Sequence, residues 1–190
     1  MGIELDGLDS QKPVSTALKT INIVLVVIIA ILALILISMS FLWTPMTVNG
    51  PSMNETLHDG EHIILITAWY KYSYGDIIVF NRTTYDDQEK HIIKRVIGLP
   101  GDYIRFDENE LAFYRNGEKL TEDYVFGNYQ SSYLSMTKAE VKTALCSTTG
   151  YLVEDGKAFV LGDNRMQSND SHIYGAIDET QIIGKYLFGY

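Results

Sequence analysis

Two short stretches hold residues that could break a bond, and a third only imitates one that does. In Gly50-Pro51-Ser52-Met53-Asn54-Glu55-Thr56-Leu57 a serine directly follows a proline, with no basic residue nearby. A serine hydroxyl is a weak nucleophile until a neighbouring base takes its proton. The sequence offers four histidines for that task, His58, His62, His91 and His172. No Gly-x-Ser-x-Gly elbow accompanies them. Geometry rather than residue supply defines a Ser-His-Asp triad, so nothing here favours one. His58-Asp59-Gly60-Glu61-His62 matches an H-x-x-E-H zinc pattern. That pattern needs a helix, where residues four apart share a face. Asp59-Gly60 breaks the middle, and the following Ile63-Ile64-Leu65-Ile66 reads as a strand. In an extended chain the two imidazoles would stand about 13 Å apart, so the segment reads as a surface turn and no metal is expected.

The remaining base is a lysine. In His91-Ile92-Ile93-Lys94-Arg95-Val96-Ile97 side chains alternate between the two faces of a strand. Ile92, Lys94 and Val96 share one face, and His91, Ile93, Arg95 and Ile97 the other. Both faces are largely apolar, so at least one of the two cations is partly buried. Arginine keeps its proton in essentially any setting, whereas a desolvated lysine can lose its own. Only Lys94 could therefore become a base. Lowering its pKa from about 10.4 to near 8 requires roughly 3 kcal/mol of disfavoured charge. Taken alone, the strand equally accommodates a lysine whose stem packs while its ammonium reaches water.

These residues belong to a chain of two unlike parts. Ile21–Trp43 is 23 residues without a charge, a helix of about 35 Å that can cross a hydrocarbon core of about 30 Å. Lys12 and Lys19 precede it, and the first Lys or Arg after it is Lys71. Basic flanks stay cytoplasmic, so residues 1–20 read as a short inner tail and residues 44–190 as an extracytoplasmic domain of a single-pass membrane protein. Of the net charge of −9, all but one unit falls after Thr20; without a basic face, no nucleic-acid partner is expected. The lone Cys146 can form no intramolecular disulfide and reads as a small core hydrophobe. Asn54, Asn81 and Asn169 open Asn-x-Ser/Thr triplets that matter only in a glycosylating host.

Beyond the apolar run, short segments rich in Ile, Val, Phe and Tyr recur: His62–Tyr70, Asp76–Asn81, His91–Leu99, Tyr103–Phe106, Leu111–Tyr114, Lys157–Leu161 and Gln181–Phe188. Asp59-Gly60, Gly75-Asp76, Pro100-Gly101-Asp102, Asn116-Gly117 and Asp155-Gly156 punctuate them, which is the pattern of hairpins. Thr137–Leu145 is the exception, a short helix with Thr137 and Glu140 at capping-box spacing. The fold class is therefore mostly β: an N-terminal transmembrane helix, then an antiparallel β domain. Residues from about 107 to 155 read as a smaller inserted lobe, being more polar and tyrosine-rich than their flanks.

Read together and in order, GPSMNETL (50–57), HIIKRVIGLPGD (91–102) and LGDNRMQSNDSHIYG (161–175) resemble the characteristic boxes of type I signal peptidases, which are membrane-anchored serine endopeptidases using a Ser/Lys dyad. The anchor and the β-rich outer domain agree, so the resemblance spans the chain from Ile21 onward. It implies Ser52 as nucleophile, Lys94 as general base, Ser168 as the hydroxyl orienting the lysine amine, and the Ser52 backbone N–H as oxyanion donor. Met53 matches the residue packed beside the nucleophile, and Asp163, Arg165 and Asp170 match residues that brace the site by turn formation and ion pairing. No cofactor is implied. The implied substrates are membrane-tethered preproteins, pilins among the candidates, cut after small-x-small sequences. An extended peptide would add to strand edges over shallow apolar pockets; Trp43, Met46 and Met53 read as an apolar rim resting on lipid, or Trp43 alone as an interfacial anchor.

Three departures stand out. Gly50 occupies a position where many relatives carry a second hydroxyl oxyanion donor; glycine there resembles the Gram-positive branch. Glu55 replaces a common proline. His172 replaces an arginine that pairs with the residue matching Asp170, and a His172–Asp170 pair would make the brace pH-sensitive, because imidazole titrates near neutrality. The alternatives are a non-catalytic relative assisting pilus assembly as a binding or chaperone module, and a structural surface protein on the same anchor.

Overall fold

The computed structural model describes residues 12–40, 42–68, 70–83, 89–125, 129–130 and 132–190. Residues 1–11 of the expected inner tail lie outside them. Helix α1 runs Lys12–Ser40, starting earlier than Ile21 and stopping before Trp43. Pro13 suits a first helical turn, where its missing N–H bonds nothing anyway. Pro45 disfavours helix in the residue before it and helps end the helix before the strand that contains it. Within α1, Thr16–Ser38 is long and apolar enough to cross a membrane. Its apolar side chains are exposed on every face, and a helix apolar all round needs an apolar surrounding.

From Trp43 to Tyr190 the chain forms a separate compact unit. Its strands are β1 (Trp43–Thr47), β2 (His62–Ile66), β3 (Ile77–Thr83), β4 (Glu89–Gly98), β5 (Tyr103–Asp107), β6 (Ala112–Arg115), β7 (Glu118–Lys119), β8 (Tyr151–Leu152), β9 (Lys157–Leu161), β10 (Ile177–Asp178) and β11 (Ile182–Gly189), with helices α2 (Ala139–Leu145) and α3 (Ser171–Tyr174). Seven strands form one sheet in the order β1-β2-β11-β3-β4-β9-β10, and four form another in the order β7-β6-β5-β8. All pairings are antiparallel. The second sheet and the chain between its strands, residues 103–152, are called the small lobe of this unit. Asn116-Gly117 closes the β6–β7 hairpin with positive φ at both residues, as such two-residue turns require.

Three buried clusters hold the unit together. Val48, Met53, Leu57, Ile63, Leu65, Ile77, Val79 and Ile93 pack on one side of the large sheet. Ile78, Phe80, Val96, Ala158, Val160 and Ile177 pack on the other. Phe106, Phe113, Tyr133, Leu134, Val141, Leu145 and Phe159 join the small sheet to β9 and α2. Strand β4 contributes to all three through Ile93, Val96 and Ile97, so its register is fixed and Lys94 has no freedom to slide.

Two local expectations need correction. Helix α2 forms, but Lys138 is its N-cap and no side chain caps it. Thr137 instead ends the preceding 3₁₀ turn, Tyr133–Met136, and its hydroxyl is buried without a partner. Glu140 still lies in the first turn of α2, where negative charge meets the positive end of the helix dipole. Cys146 is exposed rather than in the core. It follows the last residue of α2, and it is Leu145 that turns inward.

Candidate active site

Ser52 sits in the turn between β1 and β2. Two anchors set that turn: Met53 and Leu57, both essentially unexposed and joined by the Leu57 N–H to Met53 carbonyl bond of 3.0 Å. On the other flank Gly50 adopts φ +89°, a region a side chain rarely tolerates, and its N–H donates to Asp59 Oδ1 at 2.7 Å. A hydroxyl-bearing residue at position 50 would have to take up that same backbone. Among the described residues the Ser52 N–H bonds to none, whereas its carbonyl accepts the Asn164 N–H at 3.1 Å.

Lys94 projects from β4 opposite Ile78 of β3 and is only 3% exposed. Its Nζ stands 2.6 Å from Ser52 Oγ and donates to the Ile93 carbonyl at 2.9 Å. Burial dominates its titration and lowers the pKa to about 8, against the Asp170 and Asp163 carboxylates, which favour the charged form. The adjacent Arg95 is also largely buried, yet it carries its charge into a pair: Nε and Nη2 reach the Asp163 carboxylate at 2.8 and 2.6 Å. Thr56 Oγ1 donates to the same carboxylate at 2.5 Å. Asp163 has no exposed surface, so removing Arg95 would strand a buried charge at a cost of about 3–5 kcal/mol.

The segment 162–170 closes the site. A Cβ at Gly162 would fall against Ser168 Oγ and within 2.5 Å of the Ser52 carbonyl oxygen, so only glycine lets the two loops touch. Asn164 Nδ2 adds a bond to the Pro51 carbonyl at 3.2 Å. Asp170 is fully buried and accepts the Gly162 N–H at 2.9 Å and His172 Nδ1 at 2.6 Å. Burial pushes its carboxyl up, but His172, Gly162 and Ser168 outweigh that and hold it below the usual range. The His172–Asp170 pair envisaged from the sequence is therefore formed, and Tyr133 stacks on the imidazole with ring centroids 4.3 Å apart. Arg165, 1% exposed, turns away from Asp163 and Asp170 and pairs with Glu122 of the small lobe.

Ser168 is buried in this segment; its Oγ lies near enough to the Asp170 carboxylate to favour the charged form, but makes no well-aligned hydrogen bond, and none to Lys94. The sequence assigns no site role to Arg95, Thr56, Gly162, Asn164 or Glu122. Gly162 and Asn164 stood inside a quoted box, and Arg95 beside Lys94; Glu122 carried no signal at all. His58 lies in a turn and is exposed, and His62 lies on β2, its Nδ1 3.1 Å from Thr47 Oγ1. Among the described residues no three His, Cys, Asp or Glu side chains cluster as metal ligands.

A cleft of about 310 Å³ opens beside the pair, lined by Met46, Val48, Ile63, Val79, Ile92 and Ile93 as well as Ser52 and Lys94. Strand β9 pairs with β4 only from Arg95 onward, so among the described residues the stretch His91–Lys94 keeps an unpaired edge on that side. An extended peptide could add to it, with alternate side chains directed into the apolar cleft.

The family model described as "Signal peptidase, peptidase S26" matches residues 20–190. Signal peptidase IB of Staphylococcus aureus is 38% identical over 154 residues, covering 78% of this chain and 78% of that protein. Signal peptidase I of Bacillus licheniformis is 36% identical over 170 residues, covering 85% and 83%. A crystal structure of a signal peptidase I from Enterococcus faecalis, 31% identical, covers 63% of this chain and 98% of that one with a TM-score of 0.43.

The burial of Lys94 makes a stability prediction. Its folded pKa of about 8 lies below the ordinary 10.5, so below pH 8 the ammonium is charged in both states and opposes folding by roughly 3 kcal/mol. Between pH 8 and 10.5 the unfolded chain binds the extra proton, and stability rises with pH. Lys94→Met, nearly isosteric, should therefore unfold later in denaturant than the parent at pH 6–7. The gap should close towards pH 10, and a gap independent of pH would contradict the burial account.

Proposed function

Because the chain belongs to the signal peptidase family, peptidase S26, a family of serine endopeptidases, we propose that Ser52 and Lys94 form its catalytic pair. The observation that carries this reading is the 2.6 Å contact between a serine hydroxyl and a lysine amine sealed from water. In the neutral amine the Nζ lone pair accepts the Ser52 proton as Oγ bonds to the scissile carbonyl carbon. The resulting oxyanion develops where the uncommitted Ser52 N–H can donate. Collapse of this intermediate breaks the C–N bond, and the Lys94 ammonium returns the proton to the departing amine. Water then attacks the acyl-serine, Lys94 takes its proton, and Ser52 leaves with that proton restored. Gly50 has no side chain to offer a second oxyanion donor.

Asp163, Arg165 and Asp170 brace the loop against which Ser52 sits. Ser168 would orient the amine, its unsatisfied hydroxyl rotating towards Nζ when substrate binds. The substrates are exported preproteins, whose residues before the cleavage site lie extended along the free edge of β4. Small side chains suit the shallow cleft beneath. Helix Thr16–Ser38 anchors the enzyme, and Lys12 and Lys19 support a cytoplasmic N-terminus with the β unit outside. Nothing in the site favours the purely binding relative, since both reactive groups are present and in contact.

Full-length protein in lipid vesicles, incubated with a preprotein, should release the signal peptide. Ser52→Ala and Lys94→Ala should each lower the rate by about 10³-fold or more; cleavage that survives either change rules the pair out, and a parent protein that binds without cutting would point to the pilus-assembly role. The acid limb of kcat/KM should rise about tenfold per pH unit and level off near pH 8, the titration of Lys94. A limb governed by a group near pH 6.5 would instead implicate a histidine.

A further inference from the structure

The geometry points to Glu122, on the small lobe, as a positioning residue for the Ser52–Lys94 pair, acting through Arg165. This rests on the assignment of that pair above. Glu122 lies 43 residues before Arg165 and outside every stretch that resembles the family's boxes. Its side chain is nonetheless 9% exposed and faces a guanidinium that is 1% exposed. The contact is bidentate, Arg165 Nη1 to Oε2 at 2.9 Å and Nη2 to Oε1 at 2.7 Å, the geometry in which arginine is directed as well as bound.

Other lobe residues complete the socket. Tyr124 and Tyr129 hydroxyls donate to the two Glu122 oxygens, each at 3.2 Å. Arg165 Nη1 also donates to the Tyr129 hydroxyl, and the Tyr129 and Phe113 rings flank the guanidinium. The remaining donor, Arg165 Nε, reaches back 2.9 Å to the Gly162 carbonyl. Gly162 is the residue whose bare Cα rests against the Ser52 carbonyl and Ser168 Oγ, and the following Asn164 bonds the Ser52 carbonyl. Asp163 and Asp170, in the same segment, are close enough for Lys94 to feel both charges.

A continuous path of short contacts thus leads from a carboxylate in the loop after β7 to the backbone of the nucleophile and the seal over the amine. Glu122 touches neither reacting atom. Its effect is to fix the orientation of Arg165, which without it would be an uncompensated buried cation and would turn towards water, drawing Gly162 with it. Loosening that loop would both misplace Ser52 and readmit water to Lys94, and these two consequences can be read separately.

The test uses full-length protein in vesicles with a preprotein, comparing Glu122→Gln, Glu122→Asp and, as a control on the same lobe, Glu110→Gln, which breaks an exposed pair with Lys119. Glu122→Gln should lower kcat about tenfold or more with KM within about twofold, and move the acid limb of the pH profile upward by at least about half a unit. Glu122→Asp should recover part of both effects, and Glu110→Gln should show neither. Tyr129→Phe, which removes one hydroxyl from the socket without exposing a charge, should shift the limb the same way by less, and serves if Glu122→Gln does not fold. An unmoved acid limb in the folded variants, or a loss of kcat that merely tracks lower thermal stability, overturns the inference. Parallel Ser52→Ala and Lys94→Ala samples separate this failure from that of the pair itself, since activity surviving in those would condemn the pair instead.

Discussion

One amine deprived of water sets the terms for this molecule. Lys94 is 3% exposed and its Nζ is 2.6 Å from Ser52 Oγ. Removing a lysine from water disfavours its charged form, and here that effect prevails over two nearby carboxylates. A base available near neutral pH is thereby obtained without histidine. The cost is a strand position that must be held in register on both faces, which explains why β4 packs into all three buried clusters.

The carboxylates around the amine present an opposing demand. Asp163 and Asp170 must be buried to hold the loop 162–170 in place, yet every unpaired negative charge near Lys94 would restore its proton. The structure meets this by giving each acid its own partner. Arg95 grips Asp163 with two nitrogens, and His172 with the Gly162 N–H takes Asp170. Arg165, the third basic group of the region, is drawn off to Glu122. Each acid thus has a partner other than Lys94, and burial keeps the amine's affinity for protons low.

Much of this was legible in the sequence where chemistry and local pattern coincide. Strand Lys157–Leu161 has the limits its Ala-Phe-Val-Leu run suggests, and Lys94 lies on a strand whose alternation buries it. The resemblance to signal peptidases picks out Ser52 and Lys94, 42 residues apart in the chain, whose side chains meet in the structure. What escaped was set by tertiary context. Strand β1 contains Pro45, and proline is tolerated in a sheet only at an edge, a position no local pattern discloses. The two-residue strands β7, β8 and β10 are too short to show alternation. Cys146 has apolar chemistry but follows the buried Leu145 at the end of α2, and the helix turn carries it outward. Glu122 is an unremarkable acid in sequence; only the fold of the small lobe brings it to Arg165. Ser168 was expected to hold the lysine amine, and in this state its hydroxyl aligns with no partner.

The most direct test is to titrate Lys94 itself. Protein carrying ¹³Cε-labelled lysine, with the Lys94 signal assigned by its absence in Lys94→Met, would be followed by NMR from pH 6 to 11. The account predicts a chemical-shift inflection near pH 8 for this one signal. A Lys94 signal that titrates with the others would mean an amine that keeps its proton at working pH, and would contradict the account.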